Sequence, residues 1–133
     1  MKENVHGRGI VLLAAGDILA LALVTIFGFA THGELGSSGA RILTTFVPLV
    51  VGWFAVAPLM GAYRLEFLAY PAQLWRPFWA MVVGAPLAAW LRGAWLDAAI
   101  LPIFVVVLGG IAALSILCWR VIYYILAYRG RSA

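Results

Sequence analysis

The chain is poor in charge. Only 11% of its 133 residues are Asp, Glu, Lys or Arg, where an average soluble domain carries about a quarter. Hydrophobic residues make up 65%. A soluble fold of this length has too little interior to hide that much apolar surface, so the expected solvent is a bilayer. Cysteine is almost missing as well: Cys118 stands alone and excludes an internal disulfide framework. The two histidines, His6 and His32, fall on opposite sides of the membrane in the topology derived below, so no metal site within one chain is expected. There are no paired carboxylates within reach, no Ser–His–Asp or Cys–His set and no glycine-rich phosphate loop. These absences point away from an enzyme.

What the sequence has in quantity is long apolar runs. Four are present, and they predict spans at about 9–30, 42–63, 77–96 and 100–125. The third is short unless it continues to Leu96 with Arg92 snorkelling to the interface. The fold class expected is therefore all-α, a single domain built as an integral membrane bundle of four transmembrane helices. The first run is longer than a signal-peptide core and contains Asp17, so it reads as an uncleaved span.

Four spans put both termini on one side. That side collects Lys2, Arg8, Arg64, Arg76, Arg120, Arg129 and Arg131, against Arg41 and Arg92 on the other. The bias predicts cytoplasmic termini in the plasma (inner) membrane and contact with anionic headgroups. The basic residues are scattered and carry no recognition motif, so nucleic acid is not an expected partner. Trp75, Trp79, Trp119 and Tyr63 gather with four more tyrosines at the inner boundary, and Trp90 and Trp95 at the outer one. That pattern is an aromatic belt. The inner segment "RLEFLAYPAQLWR" mixes apolar and charged residues and is expected to lie along the headgroups, broken at Pro71.

Asp17 is the residue that most needs explaining. A charge deep in a span costs about 2.5–3.5 kcal/mol on insertion scales and so needs a partner. Depth along the helices selects Trp53, Ser115 and Arg120 as candidates. Together the four form an expected buried polar site, either a structural knot between spans or a proton, cation or ligand site. Pro48 and Pro58 flank Trp53, so the second span should be bent there. His32, Glu34 and Arg92 form a possible polar cluster at the outer face. Ala80, Gly84 and Ala88 recur at intervals of four in the third span, a spacing that suits close helix packing and is a candidate surface for self-association or partner helices.

These residues give the chain a resemblance. It is similar to a family of small bacterial and archaeal integral membrane proteins, domain of unknown function family 3054. The likeness rests on "GDILALAL" with Gly16 and Asp17, "THGE" with His32, "FVPLVVGWFAVAPLMGAY" with Pro48, Trp53 and Gly61, "PLAAWLR" with Arg92, and "CWR" with Trp119 and Arg120. The resemblance implies four spans in a bilayer and carries no activity to transfer. Three functions are compatible with the residues. The first is a non-enzymatic membrane subunit or assembly factor with a buried polar site around Asp17. The second is a small oligomeric proton-coupled transporter, by analogy with four-helix multidrug transporters that carry an acid in their first span. The third is a binder of a lipophilic cofactor, a quinone or carotenoid, prompted by an aromatic content of 14%.

Overall fold

The computed structural model describes residues 2–33, 36 and 39–131. It is all-helical, with no strand among the described residues. The long helices are α1 (Lys2–Thr31) and α2 (Gly39–Val56). After them come a one-turn α3 (Leu65–Leu68), a 3₁₀ turn (Pro71–Gln73), α4 (Trp75–Leu96) and α5 (Pro102–Ala127). In hydrocarbon each backbone N–H and C=O must find its partner within the protein, and a helix does this for every interior residue.

Three helices, Asn4–Thr31 in α1, α2 and α5, are long and apolar enough to cross a membrane. At 22 residues, α4 is about 33 Å long, against a hydrocarbon core of about 30 Å. It carries Arg76 and Arg92 toward its two ends and packs between α2 and α5. The bundle therefore has four long helices. α1 begins at Lys2, well before Gly9, because "KENVHGR" contains good helix formers and no proline to stop it.

The second span departs more from expectation. Residues 42–63 were expected to form one helix, yet α2 ends at Val56. Pro58 has no N–H to donate, and its ring crowds the preceding turn. The chain then closes in a Schellman turn. Gly61 takes a left-handed φ of 76°, its N–H donates to the Pro58 carbonyl at 3.1 Å, and the Ala62 N–H donates to the Ala57 carbonyl at 3.0 Å. Glycine is suited to that φ because it has no Cβ to clash. Asp97 takes the same left-handed role after α4, with φ 46°, and the Ala98 N–H donates to the Gly93 carbonyl at 3.1 Å. This turn reverses the chain into α5. The segment after α2 is broken as expected, with α3 ending at Leu68 and a new turn starting at Pro71.

The core is small side chains around a few large ones. Leu13, Leu21, Leu49, Trp53, Met81 and Ile116 are fully buried. Between α2 and α4 the backbones nearly touch: a Cβ on Gly52 would lie 2.6 Å from the Gly84 carbonyl oxygen and 3.1 Å from the Ala88 Cβ. Between α4 and α5, a Cβ on Gly109 would lie 2.7 Å from the Ala85 Cβ. The stripe Ala80, Gly84 and Ala88 is thus buried inside one chain. The self-association surface expected there has to be given up, because α2 already occupies it. Leu59, Val106 and Leu126 are exposed instead, as suits side chains that face lipid.

Gly52→Ala therefore tests the α2–α4 contact. Alanine is the better helix former by about 1 kcal/mol, yet forcing a methyl into a filled contact costs about 1–3 kcal/mol. Melting in mild detergent should show Gly52→Ala less stable than wild type and Gly110→Ala, whose Cβ would meet nothing within 4 Å, no less stable.

Candidate functional site

Asp17 is fully buried, and Arg120 is 3% exposed. They meet through both carboxylate oxygens: Arg120 Nε donates to Oδ1 at 3.0 Å and Nη2 donates to Oδ2 at 2.7 Å. This fork-to-fork pair is the geometry in which guanidinium and carboxylate bind most strongly. Arg120 Nη1 turns the other way and donates to the Ala62 carbonyl at 2.6 Å. That carbonyl belongs to the Schellman turn, where the helix end leaves oxygens without an intrahelical donor. The turn thus presents a free acceptor to the guanidinium, and the negative end of the α2 dipole lies beside a cation.

Tyr63 follows directly. Its hydroxyl donates to Asp17 Oδ2 and accepts from Trp53 Nε1 at 3.0 Å. The Arg120 guanidinium also lies 4.9 Å from the Tyr63 ring centroid and 5.7 Å from that of Trp53, within cation–π range. The result is a chain of donors, Trp53 to Tyr63 to Asp17, closed by Arg120. It ties α1, α2, the turn after α2 and α5 together.

A second row of contacts flanks this knot. Trp119 Nε1 donates to the Leu13 carbonyl at 3.2 Å, and the Tyr123 hydroxyl donates to the Gly9 carbonyl at 3.4 Å. Gly9, Leu13 and Asp17 are four apart and share one face of α1. Gly16 is the condition for this docking, since a Cβ there would overlap the Trp119 indole. Two dipeptides therefore engage as units: Gly16 admits Trp119 while Asp17 pairs with Arg120.

The structure brings together Asp17, Arg120 and, through Tyr63, Trp53. It leaves Ser115 out. Ser115 is half-buried and makes no hydrogen bond to Asp17. It lies five residues from Arg120 on α5, which is about 140° round the helix. Of the expected outer cluster, only His32 and Arg92 are among the described residues. No hydrogen bond or ion pair joins His32 to Arg92, and Glu34 lies outside the described residues. His32 is exposed, while Arg92 sits 5.7 Å over the Phe104 ring with its Nε buried and without an acceptor. A cation over an aromatic face keeps part of its stabilisation without a carboxylate. Tyr63 is the member that sequence reasoning missed. It reads as a belt residue at the end of the second span, and only the turn at Gly61 carries it to Asp17. The signal available was Pro58 followed at three residues by Gly61, a helix stop. No cluster of three metal-ligating side chains occurs among the described residues.

Two substitutions and their combination measure the knot. Asp17→Leu or Arg120→Leu alone leaves a buried charge unpaired, which costs about 3–5 kcal/mol. The double variant should recover much of that loss, so the melting shifts will be strongly non-additive. Full additivity would remove the pair as an energetic unit. Tyr63→Phe should cost less, about 1–3 kcal/mol, because it strands only the Trp53 N–H and one carboxylate lone pair.

No curated protein and no solved structure matches the chain. A family described as "Protein of unknown function (DUF3054)" matches residues 14–123, a stretch that holds Asp17, Trp53, Tyr63, Trp119 and Arg120. The match covers most of the chain, which therefore belongs to that family.

Proposed function

We propose that the protein is a non-enzymatic membrane subunit or assembly factor whose polar knot sets the shape of a bundle that partner helices recognise. The observation behind this reading is the saturation of Asp17. Both its oxygens are taken by Arg120, one of them also by Tyr63, and the carboxylate is fully buried. A coupling or ligand site needs an acceptor position left open in at least one state, whereas a structural anchor is best served by none. The exposed apolar faces of α1 and α5 supply the area on which lipid or partner helices pack.

In this reading the end holding both termini is cytoplasmic, following the bias of basic residues. Cysteines placed at Gly36 and Gly130 in a Cys118→Ser background should react with a membrane-impermeant thiol reagent from opposite sides. Labelling of both from one side would refute the four-span topology.

Asp17→Asn separates anchor from coupling site. The amide keeps one acceptor oxygen, turns the other into an NH2 donor and loses the charge. As an anchor, the variant should melt below wild type, because Arg120 keeps a buried charge with no counter-charge. The folded fraction should keep the proteins that co-purify in mild detergent and show no transport phenotype. Loss of proton-linked uptake in proteoliposomes with melting unchanged would establish the transporter instead. Visible absorbance of the purified protein that follows Trp53 or Tyr63 substitution would establish a lipophilic cofactor.

A further inference from the structure

The end of the bundle that carries the Schellman turn holds a second arginine, and its charge is not neutralised. Arg76, in the first turn of α4, donates from Nε to Gln73 Oε1 at 2.6 Å and from Nη1 to the Met60 carbonyl at 3.0 Å. Its guanidinium lies 3.9 Å from the Phe67 ring centroid and 4.7 Å from that of Trp75. Every one of these partners is neutral. The carboxylate nearest in sequence, Glu66, faces Arg64 at 3.5 Å, and no ion pair includes Arg76 among the described residues. Nη2 donates to nothing among the described residues, so part of the five-donor fork is unused there.

Arg76 is nevertheless held in place, and what it lines is a cavity. With Gln73, Arg120, Tyr123 and Tyr124 it encloses about 20 Å³, room for one water-sized oxygen. The lining contains no carboxylate. Arg120 there is matched by Asp17, so the net positive charge of the cleft is that of Arg76. Gln73 is the informative neighbour. Glutamate in its place would fix the guanidinium equally well and cancel its charge; glutamine fixes it and leaves the charge available.

We propose that this cleft is a binding site for a phosphate group. Arg76 holds one phosphate oxygen at the cavity mouth, and Gln73 acts as its positioning residue. The occupant is the headgroup of an anionic membrane lipid. Trp75, whose ring lies against the Arg76 guanidinium, is exposed, as are Leu65, Tyr70 and Trp79, close in sequence to the lining residues. Such side chains suit the acyl and glycerol portions of a lipid at headgroup depth. Free phosphate presents the same oxygens and differs in lacking those portions.

The test uses the full chain in a non-ionic detergent, with melting followed as phosphatidylglycerol, phosphatidylcholine or inorganic phosphate is added. Phosphatidylglycerol should stabilise the wild type more than phosphatidylcholine does. Gln73→Glu retains the hydrogen bond to Nε, so it should melt like wild type without lipid, while its affinity for phosphatidylglycerol falls on the order of tenfold. Arg76→Gln should lose the same response, and its lipid-free melting shows how much Met60 depends on it. Stabilisation by inorganic phosphate that equals that by phosphatidylglycerol and also disappears in Gln73→Glu would support the phosphate site with a soluble occupant. No preference for phosphatidylglycerol or phosphate in the wild type, or a response undiminished in Gln73→Glu, overturns the proposal.

Discussion

A carboxylate and a guanidinium buried together between lipid-facing helices leave the chain little freedom. Either charge alone would be expensive in a medium without water, and the pair is tolerable only with near-ideal geometry and with the remaining donors satisfied. Asp17 and Arg120 meet both conditions: the fork engages both carboxylate oxygens, and the spare Nη1 finds the Ala62 carbonyl. The last contact is as demanding as the first. It requires a helix end, hence free carbonyls, at the depth where Arg120 arrives from α5. The break at Pro58 and the left-handed Gly61 create that end. The same turn swings Tyr63 onto Asp17, so one interrupted helix completes the coordination of the ion pair.

The rest of the packing supports this polar centre with contacts that involve little chemistry. Lipid tails are as apolar as leucine, so burying leucine between spans gains little, and close backbone approach matters more. Gly52 against Gly84 and Gly109 against Ala85 provide it around α4. α1 relies on different means. Its contact with α5 runs through Gly16 under the Trp119 ring and through the Gly9 and Leu13 carbonyls. One helix is held by smallness and the other by hydrogen bonds, and the ion pair joins the two halves. Arg76 extends the arrangement outward, since it satisfies the Met60 carbonyl of the same turn.

Much of this was legible in the residues. Apolar runs bounded by glycine, proline and charge mark four helices, because the bilayer permits no other backbone arrangement over that length. A lone acid in such a run demands a partner, and helix rise puts Arg120 within reach of Asp17. Ser115 was selected by the same depth argument and fails, because depth says nothing about the direction a side chain faces. The stripe of Ala80, Gly84 and Ala88 was legible as a packing face, but its partner was not. Small residues announce close approach without saying to which helix.

The clearest division between sequence and tertiary structure lies in one tripeptide that occurs twice. Ala57-Pro58-Leu59 ends α2, while Ala85-Pro86-Leu87 continues inside α4. Proline by itself allows either outcome, since it removes one hydrogen bond and crowds one carbonyl. Gly61 stands three residues after the first proline and Ala89 three after the second, and only glycine takes φ 76° without steric cost. Even so, freed carbonyls in a membrane require donors, and those come from Arg76 and Arg120, far apart in sequence. The sequence by itself determined the solvent, the number of helices and the need for a partner to Asp17, because these follow from local hydropathy and charge. The tertiary structure alone decided where the second helix stops, that Tyr63 joins the ion pair and that Arg76 is held by Gln73 and the Met60 carbonyl, because each depends on donors and acceptors that meet only once the helices have packed.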